Sequence, residues 1–207
     1  MKKSILALCI LIVSSLGGFM IAQTKTSTNT KALIVYYSLP EPTGREKENS
    51  SVDKNGKTMG NNEYVASVIA SELNAAQFRI DTVQKYPINN HQTLIDQAKK
   101  EQRENYRPEL VGKIENLNQY DVIFLGYPNW WGDLPMALYT FLEQNDLSGK
   151  KIIPFCTHGG SGLSGTVNTI SKLQPKATVE KNALSIYRTN VEESEATIKS
   201  WLRKLGY

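Results

Sequence analysis

Apolar residues follow two alternating rhythms along the chain. Short strand-like runs occur at Ala32 to Tyr37, Phe78 to Val83, Val122 to Tyr127, Lys151 to Cys156 and Ala183 to Tyr187, and the first and third of these are apolar throughout. Runs that are apolar at consecutive positions predict strands buried on both faces. Between them, apolar residues recur every three or four positions. Val65, Val68, Ile69 and Leu73 do so over 62–73, and Leu94, Ile95 and Ala98 form a thin stripe over 91–106. Pro135 is suited to the first turn of a helix reaching Glu143. Val167, Ile170 and Leu173 mark a short helix, and Ile198, Trp201, Leu202 and Leu205 mark the last one. This spacing predicts amphipathic helices. Strand and helix alternating five times predict an α/β fold with a five-stranded parallel sheet covered on both faces. Pro154 predicts an irregular end to the fourth strand.

Two segments stand outside the alternation. Met1-Lys2-Lys3 precedes an apolar run from Ile5 to Ile21, and then come Ala22-Gln23-Thr24. A short positive start, a hydrophobic stretch and a small residue before polar sequence predict a signal peptide or N-terminal membrane anchor over 1–22. The expected location is therefore extracytoplasmic, secreted or anchored to the cell membrane. Residues 23–31 read as a polar linker, and 32–207 as one domain. The second segment, Leu39 to Gly60, is rich in Pro, Gly, Asn and charge. It reads as a long loop, with Leu39 to Met59 mobile without ligand and outside the core.

The chain has 207 residues, with 40 % hydrophobic and 21 % charged, a globular composition. The formal charge is +4, but Lys2, Lys3 and Lys25 precede residue 31. Beyond them, Lys and Arg nearly balance Asp and Glu, and no basic run supports nucleic-acid binding. The two cysteines are Cys9 and Cys156. Loss of a signal segment would leave only Cys156, which excludes an internal disulfide and disfavours a cysteine-built metal site.

In an open parallel sheet, ligands bind at the carboxyl ends of the strands, near the point where strand order reverses. Three loops of unusual composition leave such ends. The first begins at Ser38 and rejoins a helix at Gly60-Asn61-Asn62, where helix N–H groups and Ser or Asn side chains can hold phosphate. Ser and Asn are also ordinary caps. The second is Pro128-Asn129-Trp130-Trp131-Gly132-Asp133. Its two tryptophans offer a stacking surface for a planar aromatic ring, although one or both can pack under a neighbouring helix. The third, Thr157-His158-Gly159-Gly160-Ser161-Gly162, permits close backbone approach. His158 is either a catalytic candidate or a residue hydrogen-bonded within its own loop.

With these motifs the chain resembles the flavodoxin-like FMN-binding family. The matching segments are Val35-Tyr36-Tyr37-Ser38, Gly60-Asn61-Asn62-Glu63-Tyr64-Val65-Ala66, Arg107-Pro108-Glu109-Leu110, Phe124 to Gly132 and Pro154 to Gly162. The resemblance covers about Lys31 to Tyr207. It implies a three-layer flavodoxin-like sandwich with strand order 2-1-3-4-5 and bound FMN. The phosphate would lie between Ser38 and the helix start at Asn61 and Asn62. The flavin ring would lie between Pro128, Asn129, Trp130, Trp131 and Gly132 on one side and Thr157, His158, Gly159, Gly160, Ser161 and Gly162 on the other. The chain departs from the family pattern in the insertion over about Leu39 to Met59, and in Asn62, where the family usually has Thr. An Asn amide can still donate to phosphate.

The expected function is an FMN-binding redox protein, an electron carrier or a reductase of a small acceptor such as a quinone. Its redox donor and acceptor are unspecified by the sequence. FMN is expected rather than FAD, because no Gly-x-Gly-x-x-Gly turn follows the first strand to hold a pyrophosphate. One alternative is a module of the same fold that binds partners without FMN. Another is a serine hydrolase using His158-Gly159-Gly160 and Ser161 or Ser164. The Gly-x-Ser-x-Gly elbow is absent, and no His follows either serine.

Overall fold

The computed structural model describes residues 30–42 and 49–207. Residues 1–29, with the proposed leader and most of the linker, lie outside the described residues. Among the described residues no helix is long and apolar enough to cross a membrane.

The principal sheet is parallel. Strand β1 (Ala32–Tyr36) pairs with β4 (Ala76–Arg79) on one side and β5 (Val122–Pro128) on the other. Strand β5 pairs with β6 (Lys151–His158), whose far side carries β7 (Thr178–Val179) and β8 (Leu184–Tyr187). The spatial order is β4-β1-β5-β6, with the fifth place shared by β7 and β8. The main strands are thus in the expected 2-1-3-4-5 order, and strand order reverses between β1 and β5.

Helices cover both faces. On one, α1 (Asn61–Leu73) and α5 (Glu195–Lys204) bury Val65, Ile69, Ile198, Trp201 and Leu202 against Ile34, Phe124, Ile153 and Phe155. On the other, α2 (His91–Glu104), α3 (Met136–Gln144) and α4 (Thr166–Leu173) bury Leu94, Leu138, Phe141 and Ile170 against Val35, Ile123, Leu125 and Ile152. Alternate residues of one strand therefore enter opposite cores, which explains why such runs are apolar on both faces. Each fully buried aliphatic or aromatic side chain contributes roughly 1.5–3 kcal/mol.

Three expectations are corrected. The segment after β1 is not wholly a loop. Residues 51–60 form an antiparallel hairpin, β2 (Ser51–Lys54) and β3 (Lys57–Gly60), that leads straight into α1. Asn55 and Gly56 turn with φ of 51° and 74°, the paired positive values of a type I′ hairpin turn. Val52 is buried in the core with Tyr64, so the segment does not stand wholly outside it. Residues 43–48 lie outside the described residues. The second sheet strand ends at Arg79, not Val83, because its partner β1 ends at Tyr36. The chain then turns, and Thr82 bridges to Leu110 instead.

Pro154 is not at a strand end either. Lys151 N–H donates to Asp121 O, and Thr157 O accepts from Asn129 N–H, so the odd positions of β6 face β5. The even positions face the other way, where Glu180 N–H reaches Ile152 O. Strand β7 pairs with β6 only through Ile152, and β8 only from Phe155. Pro154, which lacks an N–H, falls in the gap between them and forfeits no ladder bond.

Cys156 sits on β6, almost fully buried. Burial pushes its thiol up to about 12. Since the thiolate is the reactive form, a Cys9→Ser protein should resist alkylation at pH 8 while folded and react on denaturation. Rapid labelling of the native protein would show that β6 opens readily.

Candidate functional site

Three strand ends build one cleft. Tyr37 N–H donates to Gly126 O at 2.9 Å, which carries the β1 edge forward to Ser38. Ser38 is nearly buried, and its carbonyl accepts from Arg79 Nη2 at 3.1 Å. The chain leaves here and returns through the hairpin to Gly60. A Cβ on Gly60 would stand 2.2 Å from Ser38 Oγ, so glycine lets the two ends of the long insertion meet.

Gly60 also caps α1 with no side-chain hydrogen bond, which leaves the first helical N–H groups available to an anion. Asn61 and Asn62 are both buried. Asn61 Nδ2 donates to Asn49 O at 2.9 Å, and Asn62 Nδ2 donates to Thr157 Oγ1 at 2.8 Å. Among the described residues the Oδ1 atoms of both are buried without a hydrogen-bond partner. Thr157 can donate as well as accept. A half-turn of the Asn62 amide would keep that bond and turn its NH2 away from Thr157.

The second loop is a tight turn. Trp130 and Asp133 exchange both backbone hydrogen bonds at 3.0 Å. Trp131 and Gly132 between them have φ of 53° and 81°. Gly132 takes that conformation freely, whereas a tryptophan there is strained by roughly 1–3 kcal/mol. The two tryptophans part company. Trp130 packs edge-on against Tyr37 and Tyr86, with ring centres 5.7 and 5.8 Å away. Trp131 is half exposed, donates from Nε1 to Ile95 O at 3.3 Å and lies 4.9 Å from the Lys99 ammonium.

Asn129 ties this loop to the third. Its N–H donates to Thr157 O at 2.9 Å, and its Nδ2 reaches Gly162 O at 2.8 Å and Ser164 Oγ at 3.0 Å. His158 is hydrogen-bonded within its loop: Nδ1 accepts the Gly160 N–H at 3.0 Å, and the ring stands edge-on to Tyr187. Ser164 donates to Ser161 O at 3.0 Å. Among the described residues neither serine is bonded to a histidine, so no nucleophile and base are paired.

Partial burial holds the His158 pKa below its ordinary value. The unfolded histidine therefore takes up its proton at higher pH than the folded one. The resulting stability is complete above the unfolded value, about 6.5, and is lost as pH falls through the folded value. An NMR titration should place His158 below about 6.5, and His158→Gln should flatten the acid limb of the stability curve. A midpoint at or above the ordinary value would show an imidazole that is solvated or paired with an acid.

The cleft encloses about 300 Å³. Ser38, Asn61, Asn62, Pro128, Asn129, Trp130, Trp131, Thr157, His158 and Gly159 all line it. Gly132, Gly160, Ser161 and Gly162 do not; they shape the turns behind the wall. Sequence reasoning missed the opposite wall, formed by His91, Leu94, Ile95 and Ala98 of α2. Their apolar stripe was visible, but not where it docks. Helix α2 is fixed there by Tyr86 OH donating to buried Glu101 at 2.6 Å and by His91 Nδ1, 3.0 Å from buried Glu41. Burial first, and then the Glu101 carboxylate, raise the Tyr86 phenol far above its usual range. Arg188, just past β8, also lines the cleft, and no sequence signal marked it.

Comparison with known proteins agrees with this fold. The flavodoxin family model matches residues 54–205. A candidate flavoprotein of Bacteroides eggerthii DSM 20697 has 25% identity and a TM-score of 0.64, over 86% of this chain and 99% of that one. A second, from Bacteroides uniformis ATCC 8492, has 24% identity and a TM-score of 0.63, over 84% and 98%. A flavoprotein of Lactobacillus acidophilus NCFM, in complex with FMN, has 19% identity and a TM-score of 0.57, over 84% and 99%. No curated protein matches the chain.

Proposed function

We propose, from the premise that this chain belongs to the flavodoxin family, that it binds FMN and works as a redox protein. It would be an electron carrier or a reductase of a small acceptor such as a quinone. The observation that carries this reading is the single cleft in which the ends of β1, β5 and β6 meet, with the uncapped start of α1 at one part and tryptophan rings at another.

The residues fit the group. Ser38 Oγ, the first N–H groups of α1, that of Asn61 among them, and the Asn62 NH2 once its amide has made the half-turn that Thr157 permits suit a phosphate dianion. Trp130, Trp131 and the apolar side of α2 suit a planar ring. Bound FMN would supply the electron chemistry. Ser38 and Asn62 would hold its phosphate. The Thr157 to Gly159 backbone would orient the ring edge, and Leu94, Ile95 and the tryptophans would exclude water. No protein acid or base is required for that electron chemistry.

The test is to purify the full chain, record its visible absorbance and identify the cofactor released on denaturation. FMN in near-equal amount supports the reading. FAD would place a pyrophosphate somewhere in this cleft, and a colourless protein that takes up no added FMN would leave a partner-binding module. We place the protein outside the cytoplasm, on the strength of the N-terminal sequence. Fractionation of cells expressing the full chain tests this, and intact protein found solely in soluble cytoplasm would overturn it.

A further inference from the structure

Arg188 lies at the cleft with no carboxylate paired to it among the described residues. A Cβ on Gly159 would stand 3.2 Å from its Nη1 and 3.3 Å from Cζ, so the guanidinium lies flat against that glycine, where no side chain intrudes. Its Nε is buried without a hydrogen-bond partner among the described residues. The described residues lining the cleft include this one Arg, two His and no Asp or Glu. Three other described arginines do meet carboxylates: Arg79 meets Glu63 and Asp81, Arg103 meets Glu104, and Arg107 grips Glu143. A part-buried cation without a counter-ion is costly unless an anion reaches it.

We propose that Arg188 is the counter-charge for the reduced flavin ring. This rests on the FMN reading above. When the ring accepts two electrons from a reductant and one proton from water, one negative charge remains on it. A guanidinium beside the ring stabilises that anion more than the neutral oxidised ring, and so raises the reduction potential. The phosphate is the other anion of FMN, but its candidate ligand Ser38 follows β1. Arg188 follows β8, three strand positions from β1; Asn62, the other candidate phosphate ligand, reaches β6 at Thr157, so riboflavin, which lacks the phosphate, is the arm that separates the two anions. The residue it touches, Gly159, belongs to the loop on the ring side.

The experiment compares wild type with Arg188→Met and Arg188→Lys. Dissociation constants are measured for oxidised FMN, dithionite-reduced FMN and riboflavin, together with the two-electron midpoint potential and the melting temperature of each apoprotein. Arg188→Met should keep its melting temperature and bind oxidised FMN within about threefold of wild type. Its affinity for reduced FMN should fall about tenfold more than that for oxidised FMN, which lowers the midpoint by about 30 mV. Arg188→Lys should recover most of the shift, because the charge returns. Equal weakening toward both redox forms of FMN, with riboflavin unaffected, would make Arg188 a phosphate anchor and overturn the proposal. Unchanged potentials in Arg188→Met would overturn it as well. A wild-type protein that binds neither FMN nor riboflavin would instead overturn the FMN reading itself.

Discussion

Truncating Phe155 to alanine should cost about 3–5 kcal/mol of folding stability, and adding one methyl group at Gly126 about 1–3 kcal/mol. The two residues are partners in the register of β5 and β6. Phe155 is fully buried in the core under α1 and α5. A Cβ on Gly126 would stand 2.1 Å from the Phe155 ring, so the ring fills the space that a side chain on β5 would take. Gly126→Ala must push an enclosed ring aside. In the double variant the added methyl meets a void, and the combined loss should fall well short of the sum. Denaturant titration of the four proteins measures this. Losses that add within about 0.5 kcal/mol would show that the ring does not occupy that space. The pair also bears on the site. Two residues onward, Pro128 and Thr157 are again register partners and both line the cleft. Single variants should therefore weaken flavin binding in proportion to how far they disturb the strand ends.

The double change Ser38→Ala with Asn62→Ala should lower FMN affinity at least tenfold while the protein stays folded. A hydrogen bond to a charged acceptor is worth about 1.5–3 kcal/mol, and each 1.4 kcal/mol is about tenfold in affinity. Asn62 also donates to Thr157 Oγ1. Its loss leaves a buried hydroxyl short of a partner, and apoprotein stability should fall by about 1 kcal/mol. Riboflavin separates the two effects, because it lacks the phosphate. If Ser38 and Asn62 act on the phosphate, riboflavin affinity changes little. Asn62→Thr should bind FMN at least as well as wild type, since a threonine hydroxyl donates without competing for Thr157. Equal FMN affinity in the double alanine variant would move the phosphate away from the start of α1.

The fold was legible in the sequence wherever burial is two-sided. Ala32 to Tyr37, Val122 to Tyr127 and, past Lys151, Ile152 to Cys156 read as strands because their alternate side chains enter different cores, which favours apolar residues on both faces. The helices α1 and α5 were legible for a related reason, since one face of each meets the sheet and leaves a periodic stripe. The hairpin was not legible. Val52 and Met59 are its main apolar residues, so its strands look polar, although Asn55-Gly56 is itself a strong turn signal. The ends of β4 and the role of Pro154 depended on where partner strands begin and stop, which is set by distant residues.

The candidate site divides along the same line. Its three loops stood out by composition, because glycine, adjacent tryptophans and small polar residues are unusual after buried strands. Their convergence followed from topology, since parallel strands end on one edge. Which tryptophan packs and which is exposed was decided by the turn at Trp131-Gly132 and by the docking of α2. The α2 wall and Arg188 came only from the tertiary structure. Local pattern records whether a residue is buried and in what element. It does not record which surfaces, far apart in the chain, are brought face to face when the helices pack.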